Sequence, residues 1–214
     1  MKEFKRARSA EQKSQRMADI KDVTAQLFAK NPYHSITLTT IAEELGWSRA
    51  NLYKYVTTKE EIFLELACDA RDGYLDALKT LFDSQNALDI DVLSTGWARV
   101  CHEHRDWAVY GGILMSIIET NVTVERLKVF KKGWYDKVAD VHESFKRLHD
   151  IDAQRFHDLI VIVQNQAIGI NNSCASNPLV VQALEELGIE RRKPDFLASM
   201  TDFIRMCLSY YLVR

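Results

Sequence analysis

Apolar residues recur at helical spacing along most of the chain, and few segments alternate apolar with polar residues. Ile20, Val23 and Leu27 share one face of a helix that we predict over residues 17–30. Pro32 ends this helix, because proline disfavours helical geometry in the residue before it. With only three prolines and eight glycines in 214 residues, the pattern predicts an all-α protein.

Two short helices are predicted next, over residues 38–45 and 49–55. Thr37 and Ser48 are good N-cap residues for them, and Gly46 marks the turn between them. Two short helices joined by a turn that contains glycine, packed behind a preceding helix, form a helix-turn-helix. We therefore expect an N-terminal three-helix DNA-binding domain over residues 1–58.

A larger helical domain is predicted over residues 59–214. Its first helix runs from Lys59 to about Phe82, with Thr58 as its cap and acidic residues in its first turn, as the helix dipole favours. Further helices are expected over residues 91–104, 106–119, 123–149, 152–172, 178–187 and 194–213.

The outer face of the second short helix carries the candidate chemistry. Arg49, Asn51 and Lys54 provide hydrogen-bonding groups there, while Leu52 points inward and anchors the helix. A helix enters the major groove of DNA only when its outer face is polar and free of bulky apolar side chains. The sequence therefore predicts that this helix reads double-stranded DNA.

Charge is divided unevenly between the two predicted domains. Residues 1–60 hold 11 Lys and Arg against 7 Asp and Glu, a balance of +4, whereas residues 61–214 hold 17 against 23, a balance of −6. The positive end is the candidate for a polyanionic partner. Six basic residues before the first predicted helix either follow a neighbouring phosphate stretch or groove or form a solvated tail: Lys2, Lys5, Arg6, Arg8, Lys13 and Arg16.

Composition argues against several other classes of protein. The longest nearly uncharged apolar run, residues 108–118, is too short to cross a bilayer, and the basic residues 1–16 do not resemble an export signal. We expect a cytoplasmic protein without a membrane partner. A glycine-rich phosphate loop, a nucleophile elbow and an HExxH motif are all missing from the sequence, so we do not expect an enzyme.

The four cysteines form no CxxC pair, which argues against a disulfide framework and a zinc site. We expect reduced thiols, no metal and no cofactor. One alternative stays open, because the run from Cys101 to His104 contains a thiol and two imidazoles, which bind soft or borderline ions. A metal- or thiol-responsive regulator with the same DNA-binding head is therefore the alternative prediction.

Residues 20–66 resemble the N-terminal signature of the TetR family of bacterial transcription regulators. The resemblance is carried by TLTTIA at residues 37–42, LGWS at residues 45–48, LYKY at residues 52–55 and TKE at residues 58–60. It implies a homodimeric regulator of transcription, a repressor that an unknown small-molecule effector releases from operator DNA.

The resemblance also implies roles for single residues of the head. Those implied to bind backbone phosphates are Thr37, Thr40, Tyr53, Tyr55 and Lys59. Those implied to face base edges are Arg49, Ala50 and Asn51, together with Thr39. Arginine suits guanine and asparagine suits adenine.

The two last long predicted helices resemble the helices that form the dimer seam of the family, although both also suit an ordinary core. The candidate interface residues are Phe156, Leu159, Ile160, Val163, Phe196, Met200, Phe203, Cys207 and Tyr211. Aromatic and polar residues between positions 97 and 134 either line an effector pocket or belong to the core. They are Trp97, Cys101, His104, Trp107, Tyr110, Met115, Phe130 and Trp134.

Overall fold

The computed structural model of the chain describes residues 2–174, 178–190 and 194–212. Within these ranges the protein is built from α-helices and contains no strand, which confirms the all-α prediction. The helices are α1 (Lys2–Lys30), α2 (Leu38–Glu44), α3 (Arg49–Leu52), α4 (Lys59–Asp83), α5 (Ile90–Glu103), α6 (Asp106–Ile113), α7 (Val124–Lys146), α8 (Ala153–Cys174), α9 (Pro178–Glu186) and α10 (Phe196–Tyr211).

Contacts along the chain define two compact units. The first unit contains Met1–Asp69 and Leu114–Phe130, and the second contains Ala70–Ile113 and Lys131–Arg214. The first unit therefore includes α1, α2, α3 and the beginning of α4. The expected boundary between residues 58 and 59 stays a prediction.

The N-terminal helix is longer than its apolar pattern predicts. We expected it over residues 17–30, but the backbone is helical from Lys2 onward. From residue 11 onward, where the structure describes the side chains, residues 11–16 are all exposed and Ile20 is the first that is fully buried. Apolar spacing locates only the part of a helix that packs on a core, so it gave no sign of this polar extension.

Thr37 and Gly46 delimit α2, as predicted. The hydroxyl of Thr37 accepts a hydrogen bond from the main-chain N–H of Thr40 at 3.1 Å, and the hydroxyl of Thr40 accepts one from the N–H of Thr37 at 3.0 Å. This capping box satisfies two N–H groups that a helix start leaves without partners. Gly46 has a φ of +65°, a conformation that residues with a Cβ rarely adopt.

The second short helix, α3, is shorter than we predicted, because it covers only Arg49–Leu52 instead of residues 49–55. Ser48 caps it as expected, and its side chain accepts a hydrogen bond from the N–H of Asn51 at 3.3 Å. After Leu52 the chain continues in tighter turns, with the N–H of Tyr55 donating to the carbonyl of Leu52 at 3.0 Å. Tyr53 and Tyr55 therefore lie on a turn that follows the helix.

Two other local structures have no counterpart among the predicted elements. A 3₁₀ turn covers Tyr33–Ser35, and a π-helical stretch covers Leu114–Ile118 at the end of the region expected to be one helix over residues 106–119. Both depend on hydrogen-bond register, which differs from that of an α-helix by one residue. The spacing of apolar side chains is too coarse to detect such a change.

The core of the second unit is aromatic. The ring of Phe82 packs edge-on against Trp97 at 5.6 Å and Phe145 at 4.9 Å between centroids, and Phe145 packs on Phe156 at 5.3 Å. Helix α10 packs against α5 and α8, and α6 packs against α8.

Among the described residues, none of the helices combines the length and the apolar character that crossing a membrane requires.

Candidate nucleic-acid interface

Leu52 holds α3 in place, because its side chain is only 1% exposed and α2 contributes the buried Ile41 and Ala42 to the same unit. Arg49 and Ala50, on the same short helix, are exposed. The structure thus presents a polar face over an apolar anchor, which is the arrangement that reading a major groove requires.

The polar side chains of α3 are linked by hydrogen bonds to residues of the turn that follows it. Nη2 of Arg49 donates to the hydroxyl of Tyr53 at 3.2 Å, and the guanidinium lies 5.9 Å from the centroid of the Tyr53 ring. Nζ of Lys54 donates to Oδ1 of Asn51 at 3.4 Å. These contacts orient the Arg49 and Asn51 side chains while leaving both groups donors for a nucleic acid.

Besides Tyr53, three of the residues implied to bind phosphate already have hydrogen-bond partners within the protein. The hydroxyls of Thr37 and Thr40 form the capping box, and Thr39 beside them is half-buried. Lys59 has two backbone partners, because its Nζ donates to the carbonyl of Tyr33 at 2.9 Å and to that of Ile36 at 2.8 Å. Their contacts with phosphate stay predictions.

Lys59 has a structural role that its position in the motif did not reveal. Its Nζ lies 3.9 Å from the centroid of the Tyr33 ring, and burial lowers the pKa of this ammonium group. The hydroxyl of Tyr33 donates to Oε1 of Glu60 at 2.5 Å, and burial together with this contact raises the pKa of Tyr33. Lys59 and Glu60 therefore attach the 3₁₀ turn to the start of α4.

Trp47 connects the turn of the motif to α1. Its ring lies 5.7 Å from that of Tyr55, and the guanidinium of Arg16 lies 5.2 Å from its centroid. Arg16 and Lys13 also line a cleft whose other side is formed by Lys54 and Tyr55. Of the six basic residues near the N-terminus, these two are the ones whose side chains the structure describes.

In the second unit, three of the candidate effector residues meet around Tyr74, which the sequence did not single out. The indole Nε1 of Trp97 donates to the Tyr74 hydroxyl at 2.8 Å, and Sγ of Cys101 lies 4.0 Å from the same oxygen. The ring of Tyr74 stacks on Trp107 at 4.4 Å. Trp97 and Cys101 are fully buried, as is Tyr74 apart from 1% of its surface.

The remaining effector candidates lie in different environments. Tyr110 is buried, while His104 and Trp134 are half-buried in the same unit. Met115, which is 67% exposed, and the buried Phe130 belong to the first unit.

Nε1 of Trp107 is buried and has no hydrogen-bond partner among the described residues, whereas an indole N–H inside a protein normally has one.

Cys101 is unsuited to sensing chemistry in this environment. Burial raises the pKa of its thiol from 9.0 to about 12, so the reactive and metal-binding thiolate is absent at neutral pH. In the described part of the chain, no three His, Cys, Asp or Glu side chains are grouped so that they could hold a metal ion. The alternative of a metal- or thiol-responsive regulator is therefore not favoured.

The free energy of unfolding should decrease at alkaline pH, because the buried thiol of Cys101 loses its proton there. The folded-state pKa lies above the unfolded value, so the neutral thiol contributes stability below about pH 9 that is lost as pH rises toward 12. We expect Cys101→Ala to flatten the decline in the free energy of unfolding between these pH values, measured by urea denaturation. An identical pH dependence in the wild type and the variant would contradict the prediction.

Most of the candidate dimer residues are buried within one chain. The side chains of Phe156, Leu159, Ile160, Val163 and Met200 are fully buried, those of Phe196 and Cys207 nearly so, and those of Phe203 and Tyr211 half-buried. Other apolar residues of α8 and α10 are exposed instead: Ile162, Leu197, Met206 and Tyr210. Their outward position is one that the apolar stripes did not single out.

Comparison with known proteins identifies the family. Residues 20–66 match the model described as bacterial regulatory proteins, tetR family, and residues 69–213 match the tetracyclin repressor-like C-terminal domain. Among solved structures, a TetR family transcriptional regulator named PfmR, from Thermus thermophilus, is similar with a TM-score of 0.56 and 17% identity, over 89% of this chain and 97% of that one. At this identity the likeness concerns the fold. No curated protein matched.

Both family models together cover most of the chain, and the helix-turn-helix with its exposed Arg49 and half-buried Asn51 lies inside the first of them. The chain therefore belongs to the tetR family of bacterial regulatory proteins and is a DNA-binding regulator of transcription.

Proposed function

We propose that this regulator is a repressor that binds operator DNA as a homodimer and leaves it when a small molecule binds to its C-terminal domain. The observation that carries the proposal is the short helix α3, on which Arg49 is exposed and Asn51 half-buried while Leu52 is buried. Residues 1–58 form the DNA-binding domain in this proposal, and residues 59–214 form the effector-binding and dimerisation domain, acting in the cytoplasm.

The head has two kinds of contact with DNA in this proposal. The residues that face base edges are Arg49, Ala50 and Asn51, with Thr39. Of these, arginine and asparagine can each form two hydrogen bonds with one base. Phosphate contacts position the head without reading sequence. They come from Thr37, Thr40, Tyr53, Tyr55 and Lys59.

The exposed apolar residues of α8 and α10 support the proposed homodimer. Met206 and Tyr210 are 60% and 71% exposed, and Ile162 and Leu197 add to the apolar surface of the same two helices. Covering such residues with a second copy removes apolar surface from water, which favours association. The candidate residues that are buried in one chain would then support the seam from beneath it.

The environment of Trp107 supports an effector with a hydrogen-bond acceptor. The buried Nε1 lacks a partner among the described residues, and leaving a buried donor without one costs about 1–3 kcal/mol. A ligand acceptor that reaches this nitrogen would recover that energy. A ligand that binds the non-DNA-binding arrangement more tightly releases the operator through that difference in affinity alone.

Selection from a pool of random duplexes tests the proposal. The wild-type protein should enrich a palindromic sequence, because two equivalent heads bind two half-sites. Its affinity for the selected duplex should fall steeply as salt rises, since binding releases counterions from the DNA. A pool that shows no enrichment, or a duplex affinity independent of salt, would contradict the proposal.

A further inference from the structure

A cleft of the first unit joins α1 to the turn after α3. Its α1 side consists of Gln12, Lys13, Gln15, Arg16 and Asp19, and its other side consists of Lys54 and Tyr55. The cleft therefore adjoins the surface that carries the exposed Arg49 and the half-buried Asn51, because Lys54 and Tyr55 follow α3 closely in the chain and Nζ of Lys54 donates to Oδ1 of Asn51.

The charges and donors of the cleft fit an anion. Lys13, Arg16 and Lys54 contribute three positive charges, against one negative charge from Asp19. That carboxylate is already occupied, because it accepts a hydrogen bond from Nε2 of Gln15 at 3.1 Å and lies 3.6 Å from Nη1 of Arg16. Lysine, arginine, glutamine and tyrosine side chains are donors that proteins use toward DNA phosphates.

The α1 side of the cleft is held next to the helix-turn-helix. The guanidinium of Arg16 lies against the ring of Trp47, and Trp47 packs on Tyr55, so a stack of three side chains spans the cleft at one end. Contacts of a cation with a tryptophan ring are favourable. Arg16 therefore lies against the motif, with its guanidinium on the ring of Trp47.

The exposed part of α1 is not stabilised by burial. Residues 11–16 are all exposed, and the helix begins about 27 Å before Ile20 at a rise of 1.5 Å per residue. A polar helical segment of this kind gains little from packing on its own chain. A polyanion along its basic side is a partner that would stabilise its helical order.

From these observations we infer that the cleft between α1 and the turn after α3 binds one phosphate of the operator backbone, beside the bases that α3 reads. Lys13, Arg16 and Lys54 provide the charge, and Tyr55 and Gln12 provide further donors. The inference rests on the proposed function, since it assigns an additional backbone contact to the same DNA-binding head.

Phosphate ethylation interference on the selected duplex tests the inference. With the wild-type protein, ethylation at one phosphate per half-site should weaken binding through the cleft. With Lys13→Gln, and with the double variant Lys13→Gln and Arg16→Gln, this site should lose its effect. The slope of log affinity against log salt should become shallower by about 0.9 for each phosphate that is no longer neutralised, while the preferred sequence stays the same.

Lys13→Gln is the decisive single variant, because Lys13 does not contact Trp47 in the stack and its replacement leaves that packing intact. Lys30→Gln is the matched control, since Lys30 is exposed at the other end of the same helix and should leave both the slope and the interference pattern unchanged. Unchanged interference and slope in both cleft variants would overturn the inference while leaving the proposed function standing. Failure of the wild type to select any duplex would overturn both.

Discussion

Arg49→Ala is expected to reduce the ratio of affinity for the selected operator over that for random duplex by about 5- to 150-fold for each half-site. This range corresponds to about 1–3 kcal/mol of discrimination from one bidentate pair between arginine and guanine. Arg49 is exposed on α3, and its side chain is oriented by Tyr53, so its removal should leave the fold unchanged. Fluorescence anisotropy with the two duplexes measures the ratio.

Lys59→Ala is the comparison for this prediction, because a phosphate contact carries no sequence information. It should weaken binding to both duplexes by the same factor. Since Nζ of Lys59 also binds two carbonyls of the first unit, a thermal melt must accompany the measurement. If both variants change the two affinities in parallel, Arg49 is not a base-reading residue.

Met206→Glu should convert the protein from dimers into monomers and reduce its operator affinity by about 100-fold or more. A buried charge at an apolar interface is strongly unfavourable, and two linked heads gain about 10² to 10⁴ in affinity over separate ones. Because Met206 is 60% exposed in the single chain, its replacement should not disturb the core. Sedimentation equilibrium gives the mass, and anisotropy gives the affinity.

Phe203→Glu should have the same effect, although its half-buried side chain makes it a less selective variant. Val129→Glu is the control, since Val129 is 74% exposed and belongs to the first unit. A wild-type protein that sediments as a monomer at micromolar concentration would refute the proposed seam, as would a Met206→Glu variant that stays dimeric.

Most helix boundaries could be predicted because they depend on local chemistry. In the structure, Thr37 and Ser48 cap their helices as predicted, and Gly46 has a positive φ in the turn between them. Our predictions of where α1 begins and where α3 ends were wrong, for opposite reasons. Residues 11–16 of α1 are all exposed and give no apolar stripe that would predict a helix, whereas beyond Leu52 a sequence that suits a helix forms tighter turns.

The candidate sites were harder to predict than the elements, because a sequence shows that a residue is apolar or polar but not what covers it. The stripes of α8 and α10 correctly indicate buried side chains such as Phe156 and Met200, but these are buried by their own chain. Tyr74 was missed altogether, since nothing at its position in α4 signals that Trp97 and Trp107 meet its ring and hydroxyl.

Trp47 gives the head a natural optical reporter. The other three tryptophans, Trp97, Trp107 and Trp134, belong to the second unit, so Trp47 is the one tryptophan of the first unit. It lies between Arg16 and Tyr55, the two side chains of the stack in the cleft that we propose binds a phosphate. Replacing the other three by phenylalanine would leave an emission signal that comes from the turn of the motif alone, with no dye attached to the molecule.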